Sequence, residues 1–306
     1  MIRKILFILS LAMLPTLLSA QSAALQLLRD TTQHDRVLVA AHRGDWIYAP
    51  ENSIASLQHD IDWGVEIIET DVRVTRDGKI VIMHDPTVDR TTFGHGRIAD
   101  MTLDEIKRLT LKSNFGTRTQ MKVPTLEEYI KLAKGKVLLY LDKAGFEDDE
   151  SHPLGHKLKL VLDELRRHNA LEEAVFVLDF PYDKARKLFG DDLERVNYIP
   201  VIEDDIPNLD SYVDEYIKKL RPVAFQFRMS SLNSATYRQL PKVLQSGARP
   251  FVAATWEAHT AGHSDLRSIM NRPSEGWGWL IGQGFRILET NYPHDLLEYL
   301  RYEKRH

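Results

Sequence analysis

The sequence predicts an α/β fold of the (β/α)8-barrel type, in which eight parallel strands alternate with helices and close into a barrel. Two observations predict it: short apolar runs alternate with amphipathic segments after residue 35, and eight such runs occupy roughly 260 residues. Runs that are apolar throughout indicate a parallel sheet covered by helices on both faces. A doubly wound open sheet has the same local pattern and remains an alternative, because the pattern alone does not close a barrel.

The eight predicted barrel strands follow one another at regular intervals along the chain. They lie near residues 37–42, 66–74, 137–142, 175–180, 198–203, 223–229, 250–255 and 285–290. Helical segments such as SIASLQHDIDWG, TLEEYIKLAK and GHKLKLVLDELRRHN lie between them. Their apolar residues recur at the spacing that gives an amphipathic helix one buried face.

One place departs from this alternation. The second strand is followed by RDGK, in which Asp77-Gly78 is a hairpin turn signal. We therefore expect the run from Lys79 to Met83 to fold back beside the second strand as a β-hairpin extension, not to join the barrel.

The first 20 residues have the pattern of a secretory signal peptide. A basic start is followed by an apolar run from Ile5 to Leu18 and by small residues before Gln21. A transmembrane anchor is the alternative, but the run is shorter than the about 20 residues that a span needs and contains Pro15. We expect cleavage near residue 20, export across the inner membrane to the periplasm, and no stable membrane anchor in the mature protein.

Composition limits the remaining classes. The 306-residue chain has no cysteine, so disulfides, thiolate metal sites and a lipid-modified cysteine are excluded. Its formal net charge of −4 and its lack of a basic stripe give no indication of nucleic-acid binding. No linker or repeat divides the chain, so we expect a lead-in at 21–35 and one barrel domain at 36–306.

Chemically versatile side chains stand where predicted strands end. His42-Arg43 ends the first strand, His84 ends the returning run of the hairpin, and Asp142-Lys143 ends the third strand. The carboxyl ends of barrel strands form one rim, where active sites lie. Two histidines there can act as general base and general acid near neutral pH, although a single histidine is more often a structural polar residue.

Two carboxylates, Glu69 and Asp71, occupy the second strand. The strand period of two places them on the same face. Buried carboxylates side by side are costly unless a positive charge lies between them. A hard divalent cation, Mg²⁺ or Ca²⁺, suits such oxygen ligands, and an ion pair with Arg73 or another cationic side chain is the alternative. Asp142 could complete the ligand set, and Lys143 could face a phosphate. The whole set suits metal-assisted attack on a phosphorus ester.

The stretches AHRGDWIYAPENS and GVEIIETDVRVTRDGKIVIMHDPTVDRTTFGHG resemble the glycerophosphodiester phosphodiesterase family. The ordered motifs HRG, PEN, E-x-D, T-x-D-G and HD carry the resemblance, which is strong over the first third of the mature chain. It implies a TIM barrel of the phospholipase C-like phosphodiesterase type, one Ca²⁺ or Mg²⁺ ion, and a small-molecule phosphodiester substrate. The implied enzyme is a phosphoric diester hydrolase that converts glycerophosphodiesters to glycerol 3-phosphate and an alcohol.

The resemblance also assigns roles to individual residues. These are acid–base catalysis by His42 and His84, cation binding by Glu69, Asp71 and Asp142, phosphate binding by Arg43 and Lys143, and support of the rim by Glu51 and Asn52.

Some positions depart from the family pattern. The family usually has Glu-x-Lys at the third strand, whereas here Lys143 directly follows Asp142. Adjacent residues of a strand point to opposite faces, so both reach the site only if the strand ends or bulges there. The late Thr-Asp-x-Pro motif of the family has Asn291 in place of aspartate, and the segment after HD, residues 87–124, is short. These changes bear on substrate choice more than on reaction class.

Two other functions remain open from the sequence. One is a phosphodiesterase of the same fold that acts on phospholipids in the manner of phospholipases C or D. The other is a non-catalytic periplasmic binding protein that kept the barrel. The short segment after HD and the lack of a basic face favour a water-soluble substrate.

Overall fold

The computed structural model describes residues 22–30, 32, 35–147 and 152–306. Its strands are β1 (Leu38–Ala41), β2 (Ile67–Val74), β3 (Ile80–Ile82), β4 (Leu138–Asp142), β5 (Ala174–Leu178), β6 (Asn197–Glu203), β7 (Ala224–Arg228), β8 (Arg249–Ala253) and β9 (Ile287–Thr290). Its helices are α1 (Ala23–Arg29), α2 (Ile54–Trp63), α3 (Leu103–Arg108), α4 (Leu126–Ala133), α5 (His156–Arg167), α6 (Tyr182–Phe189), α7 (Leu209–Lys219), α8 (Ala235–Arg238), α9 (Leu240–Ser246), α10 (Asp265–Ile269), α11 (Trp277–Gln283) and α12 (Pro293–Tyr302).

All strands except β3 form a closed parallel barrel. The neighbours run β1-β2-β4-β5-β6-β7-β8-β9 and return to β1. Closure depends on β1, in which Ala40 is paired with Ile67 of β2 on one side and Val39 with Leu288 of β9 on the other. The predicted (β/α)8 barrel is therefore confirmed, and the open doubly wound sheet is excluded.

The strand β3 pairs antiparallel with β2 outside the barrel, with Arg73 opposite Val81. In the connecting turn, the Thr75 N–H donates to the Lys79 carbonyl at 2.9 Å. Gly78 in this turn has a φ of 72°, in the left-handed region that glycine adopts without a Cβ clash. The hairpin leads the chain from the carboxyl end of β2 back to Asp71, whose carbonyl accepts the Met83 N–H at 2.9 Å, and His84 follows.

The segment that follows the hairpin has its own small core. Buried apolar side chains of β3 and of the chain after it pack together: Val81, Met83, Val88, Ile98, Ile106, Leu111 and Val123. This cluster supports the loop that carries His84 and Arg90 beside the barrel rim.

Inside the barrel, inward-facing strand residues meet the helix α1. Leu25 and Leu28 of this helix pack in the same cluster as Leu38 and Ile67 of the barrel interior. The guanidinium of Arg249, at the start of β8, donates to the Leu27 carbonyl at 3.0 Å and to the Asp30 and Leu28 carbonyls. The described part of the expected lead-in thus closes the amino-terminal end of the barrel and belongs to its core.

The predicted signal peptide, residues 1–20, lies outside the described residues. Within the described part of the chain, every helix is too short or too polar to cross a membrane.

Candidate active site

A polar pocket with a volume of about 160 Å³ opens at the carboxyl ends of the barrel strands. Its described lining residues are His42, Arg43, Glu69, His84, Tyr140, Asp142, Lys143, Gln226, Arg228, Ala253, Trp256, His259 and Glu289. A larger cavity of about 660 Å³ lies at the amino-terminal end, and Arg221 is the only ionisable residue among its described lining residues. Of these two cavities, the smaller one gathers many titratable groups, and it lies where the sequence places the site.

The carboxylates of β2 lie at the base of this pocket. Ligand oxygens of Glu69, Asp71 and Asp142 all lie within 4.8 Å of one another. The Glu69 Oε2 accepts the backbone N–H of Arg43 at 2.8 Å, and the Asp71 Oδ2 accepts the Asn52 side-chain amide at 2.8 Å. The structure thus brings the three predicted cation ligands together, and Asn52 buttresses one of them.

The charge state of this cluster reflects its burial. Burial raises the pKa of Glu69 well above its ordinary value, and the nearby Asp71 and Asp142 raise it further. Burial also acts to raise the pKa of Asp142, but the Lys143 ammonium outweighs it and lowers that pKa. Three convergent carboxylates, of which Glu69 and Asp71 are buried, need more positive charge than one lysine supplies, so the donor set fits a hard divalent cation. Oxygen ligands of this kind suit both Ca²⁺ and Mg²⁺.

Lys143 reaches the same cluster because the strand ends before it. The strand β4 stops at Asp142, and Lys143 has a left-handed φ of 62°. This turn brings its ammonium within 2.7 Å of Asp142 Oδ2 and 3.1 Å of Asp71 Oδ1. Adjacent residues that would point to opposite faces of a strand therefore meet in one site.

His42 is held in a defined orientation beside the cluster. Its Nδ1 lies 2.8 Å from the Asn291 Oδ1, which also accepts the Trp46 indole N–H at 3.2 Å. An oxygen acceptor at Nδ1 assigns the proton to that atom and leaves Nε2 unprotonated, 4.0 Å from Glu69 Oε2. Burial and the neighbouring Arg43 lower the pKa of His42, which favours the neutral imidazole.

Behind Asn291, a buried carboxylate fixes the end of β9. Asp265 accepts hydrogen bonds from the Asn291 backbone N–H, the Thr290 hydroxyl and the Trp277 indole N–H, at 2.7 to 2.8 Å. Burial raises the pKa of Asp265 to about 6 although these bonds lower it. The three bonds hold the backbone that presents Asn291 to His42.

His84 is held by an ionic network on the opposite side. Its Nδ1 lies 2.7 Å from the Asp85 Oδ1. The guanidinium of Arg90 donates two hydrogen bonds to Asp85 and two to Glu51, at 2.6 to 2.9 Å. Glu51 in turn accepts from Arg43 at 3.2 Å. The Arg90 bonds lower the pKa of Asp85 well below its ordinary value. Glu51 therefore joins two arginines at the rim and lies outside the carboxylate cluster.

Several pocket residues belong to none of the sequence motifs. Glu289 on β9 and Gln226 and Arg228 on β7 all line the pocket, and Arg228 pairs with Glu203 at 3.2 Å. Burial raises the pKa of Glu289 to about 8, and Asp142 adds to the effect. Their only sequence signal is a polar residue at an inward-facing position of an otherwise apolar strand.

The fold and the pocket define a (β/α)8-barrel protein whose polar site lies at the carboxyl ends of its strands. Residues 42–257 match the model of the glycerophosphoryl diester phosphodiesterase family. The chain belongs to this family, which confirms the resemblance inferred from its motifs.

Relatives of known name match part of the chain. It is 45% identical over 105 residues to a glycerophosphodiester phosphodiesterase of Caldanaerobacter subterraneus subsp. tengcongensis, covering 34% of this chain and 43% of the relative. It is 34% identical over 175 residues to a glycerophosphodiester phosphodiesterase of Bacillus subtilis, covering 54% of this chain and 57% of the relative. The chain thus spans about half the length of these relatives.

Solved structures share the fold over most of the chain. A glycerophosphoryl diester phosphodiesterase from Parabacteroides distasonis superposes with a TM-score of 0.70 at 22% identity, covering 92% of this chain and 93% of the other. An Oleispira antarctica phosphodiesterase in complex with the product sn-glycerol-3-phosphate superposes with a TM-score of 0.61 at 22% identity, covering 86% and 96%. At this identity the likeness extends to the fold alone.

Proposed function

We propose that this protein is a metal-dependent phosphodiesterase that hydrolyses glycerophosphodiesters to glycerol 3-phosphate and an alcohol. The observation that carries the proposal is the joint placement of His42 and His84, which line one pocket beside the convergent carboxylates of Glu69, Asp71 and Asp142. Each imidazole has an oxygen partner at Nδ1, so each can turn Nε2 to a substrate. Membership of the family supports the same reaction.

The cationic side chains provide a binding place for the substrate phosphate. Arg43 and Lys143 line the pocket beside the carboxylates, and planar guanidinium and compact ammonium groups both bind phosphate oxygens. A divalent cation held by Glu69, Asp71 and Asp142 would polarise a phosphoryl oxygen and offset the charge that develops there. The phosphodiester would thus be oriented with its phosphorus between the two histidines.

The two histidines then move the protons. The neutral His42 accepts a proton at Nε2 from the attacking hydroxyl, either a neighbouring hydroxyl of the glycerol or a water molecule. A new P–O bond forms, the P–O bond to the alcohol breaks, and His84 donates a proton to the departing oxygen. If the glycerol hydroxyl attacks, the product is a cyclic phosphate, which water opens with the proton roles reversed.

A product assay tests this function. The purified protein is incubated with sn-glycero-3-phosphocholine and sn-glycero-3-phosphoethanolamine, with added Ca²⁺ or Mg²⁺, and glycerol 3-phosphate is measured. We expect release that stops after treatment with a chelator and returns when the cation is restored. Activity confined to vesicles of intact phospholipid would identify a lipid-directed enzyme instead, and binding without turnover would identify a binding protein.

We also propose that the protein is exported and that residues 1–20 are removed. The basic start, apolar core and small residues of this segment support the proposal. Cell fractionation of a bacterial host with amino-terminal sequencing of the product tests it. An intact amino terminus at Met1 in the membrane fraction would contradict it.

A further inference from the structure

Glu289 of β9 places a buried carboxylate at the centre of the barrel. On β9, Ile287 packs in the interior cluster and Leu288 in the outer one, so Glu289 faces inward with Ile287. Glu289 is 5% exposed and lines the pocket. Within the described part of the chain, its side chain has no hydrogen bond or ion pair. An isolated buried carboxylate is costly unless a ligand satisfies it.

Glu289 is close to the proposed cation ligands. One of its oxygens lies within 4.8 Å of ligand atoms of Glu69 and His42. Glu69 also belongs to the cluster with Asp71 and Asp142, so it is common to both groups. Two oxygens that bind one ion at about 2.4 Å can be at most about 4.8 Å apart, which makes Glu69 and Glu289 compatible with a common ion.

The cationic side chains are distributed unevenly among these acids. The Lys143 ammonium contacts Asp71 and Asp142. Neither Glu69 nor Glu289 is paired with a lysine or arginine side chain among the described residues. Arg228 of β7 is near enough to Glu289 to lower its pKa, but its guanidinium is paired with Glu203 at 3.2 Å. The two glutamates therefore form the part of the cluster where positive charge is most deficient.

We propose that Glu289 is a fourth carboxylate of the cation site formed by Glu69, Asp71 and Asp142, and that it strengthens cation binding. The proposal rests on the proposed function, because it concerns the same cation. His42 is excluded from the ligand set because its Nε2 is the proton acceptor. The competing role for Glu289 is a neutral, protonated carboxyl that only hydrogen-bonds to a substrate hydroxyl.

Substitution of Glu289 by glutamine separates these roles, because glutamine keeps the size and hydrogen-bonding capacity but removes the charge. Chelator-stripped full-length protein is titrated calorimetrically with CaCl₂ and, separately, with MgCl₂, without substrate. We expect Glu289→Gln to raise the Kd of the tighter-binding cation about 10- to 100-fold. Glu289→Asp, which keeps the charge, is expected to lose less affinity.

Two further variants make the result decisive. Glu298→Gln removes an exposed carboxylate of α12 that does not line the pocket, and its Kd is expected to stay close to that of the wild type. Asp142→Asn is expected to lose most of the binding. Wild-type affinity in Glu289→Gln together with lost binding in Asp142→Asn would overturn the role of Glu289 alone. Failure of the wild type to bind either cation would overturn the cation site of the proposed function as well. Circular dichroism of each variant checks that the fold is kept.

Discussion

The ammonium of Lys143 lies 3.1 Å from the Asp71 Oδ1, although Asp71 lies within β2 and Lys143 follows the end of β4. The contact depends on the left-handed backbone of Lys143, which follows Asp142 directly. An aspartate and a lysine that are adjacent in sequence can therefore serve the same pocket, which a continuing strand would prevent.

Two substitutions of Lys143 separate its charge from its backbone. Lys143→Ala and Lys143→Gly both remove the ammonium, and we expect kcat/KM to fall by about 30-fold or more, since loss of one member of a buried charge pair costs about 2 kcal/mol or more. Glycine adopts the φ of 62° without strain, so Lys143→Gly is expected to be more stable than Lys143→Ala by about 1 kcal/mol. Steady-state kinetics and urea unfolding measure the two effects. Unchanged kinetics in both variants would remove Lys143 from the site.

Asn291 is expected to orient the imidazole of His42. Replacement by alanine removes the acceptor at His42 Nδ1, so the ring loses its fixed tautomer, and we expect kcat to fall about tenfold or more. Asn291→Asp keeps an oxygen acceptor and is expected to retain much more activity. Asn233→Ala, at an exposed turn position, serves as the control. Equal activity of the alanine and aspartate variants would contradict the orienting role.

Arg90 is expected to act through its two carboxylate partners. It binds Glu51 and Asp85 with paired hydrogen bonds, and these acids contact Arg43 and His84. In Arg90→Ala, we expect the side chains of Glu51 and Asp85 to change position and kcat to fall about tenfold. Lysine cannot form the paired hydrogen bonds, so the kcat of Arg90→Lys is expected to be nearly as low as that of Arg90→Ala. The exposed Arg76, paired with Glu105, provides a matched control, and a similar loss in Arg76→Ala would show a nonspecific charge effect.

The helix α1 is expected to matter for stability and not for turnover. Leu28 is 1% exposed and packs in the barrel interior at the end opposite the pocket. We expect Leu28→Ala to reduce the free energy of unfolding by about 2–5 kcal/mol while kcat stays near the wild-type value. The exposed Leu266, changed to alanine, should cost less than about 0.5 kcal/mol in the same denaturant titration. A large loss of kcat in folded Leu28→Ala protein would contradict this separation.

The barrel itself was predictable because each strand has a local signal. Each predicted apolar run overlaps one barrel strand; the run at 137–142, for example, became β4. The docking of α1 was not predictable, since an amphipathic pattern shows that a helix has a buried face but not which surface covers it. The contacts of Arg249 with the end of this helix join residues more than 200 positions apart.

The site was predictable where its residues form motifs. Four site residues belong to ordered motifs: His42, Glu69, Asp71 and His84. His42, Glu69 and His84 line the pocket, and Asp71 lies beside Glu69 in the carboxylate cluster. Glu289 belongs to no motif and is one charged residue in an apolar strand. The proposed role of Glu289 requires that its side chain face the barrel interior and that the barrel close, which brings β9 beside β1. Asp265 supports the site through its hydrogen bond with Asn291, and the sequence around Asp265 likewise contains no motif that indicates this role.

The most direct test of the acid–base assignment is the rate of glycerol 3-phosphate release from sn-glycero-3-phosphocholine by His42→Ala and His84→Ala. With Ca²⁺ or Mg²⁺ supplied and the fold checked by circular dichroism, we expect kcat to fall about 100- to 10,000-fold in each variant. A variant of either histidine that keeps near wild-type kcat would contradict the assignment.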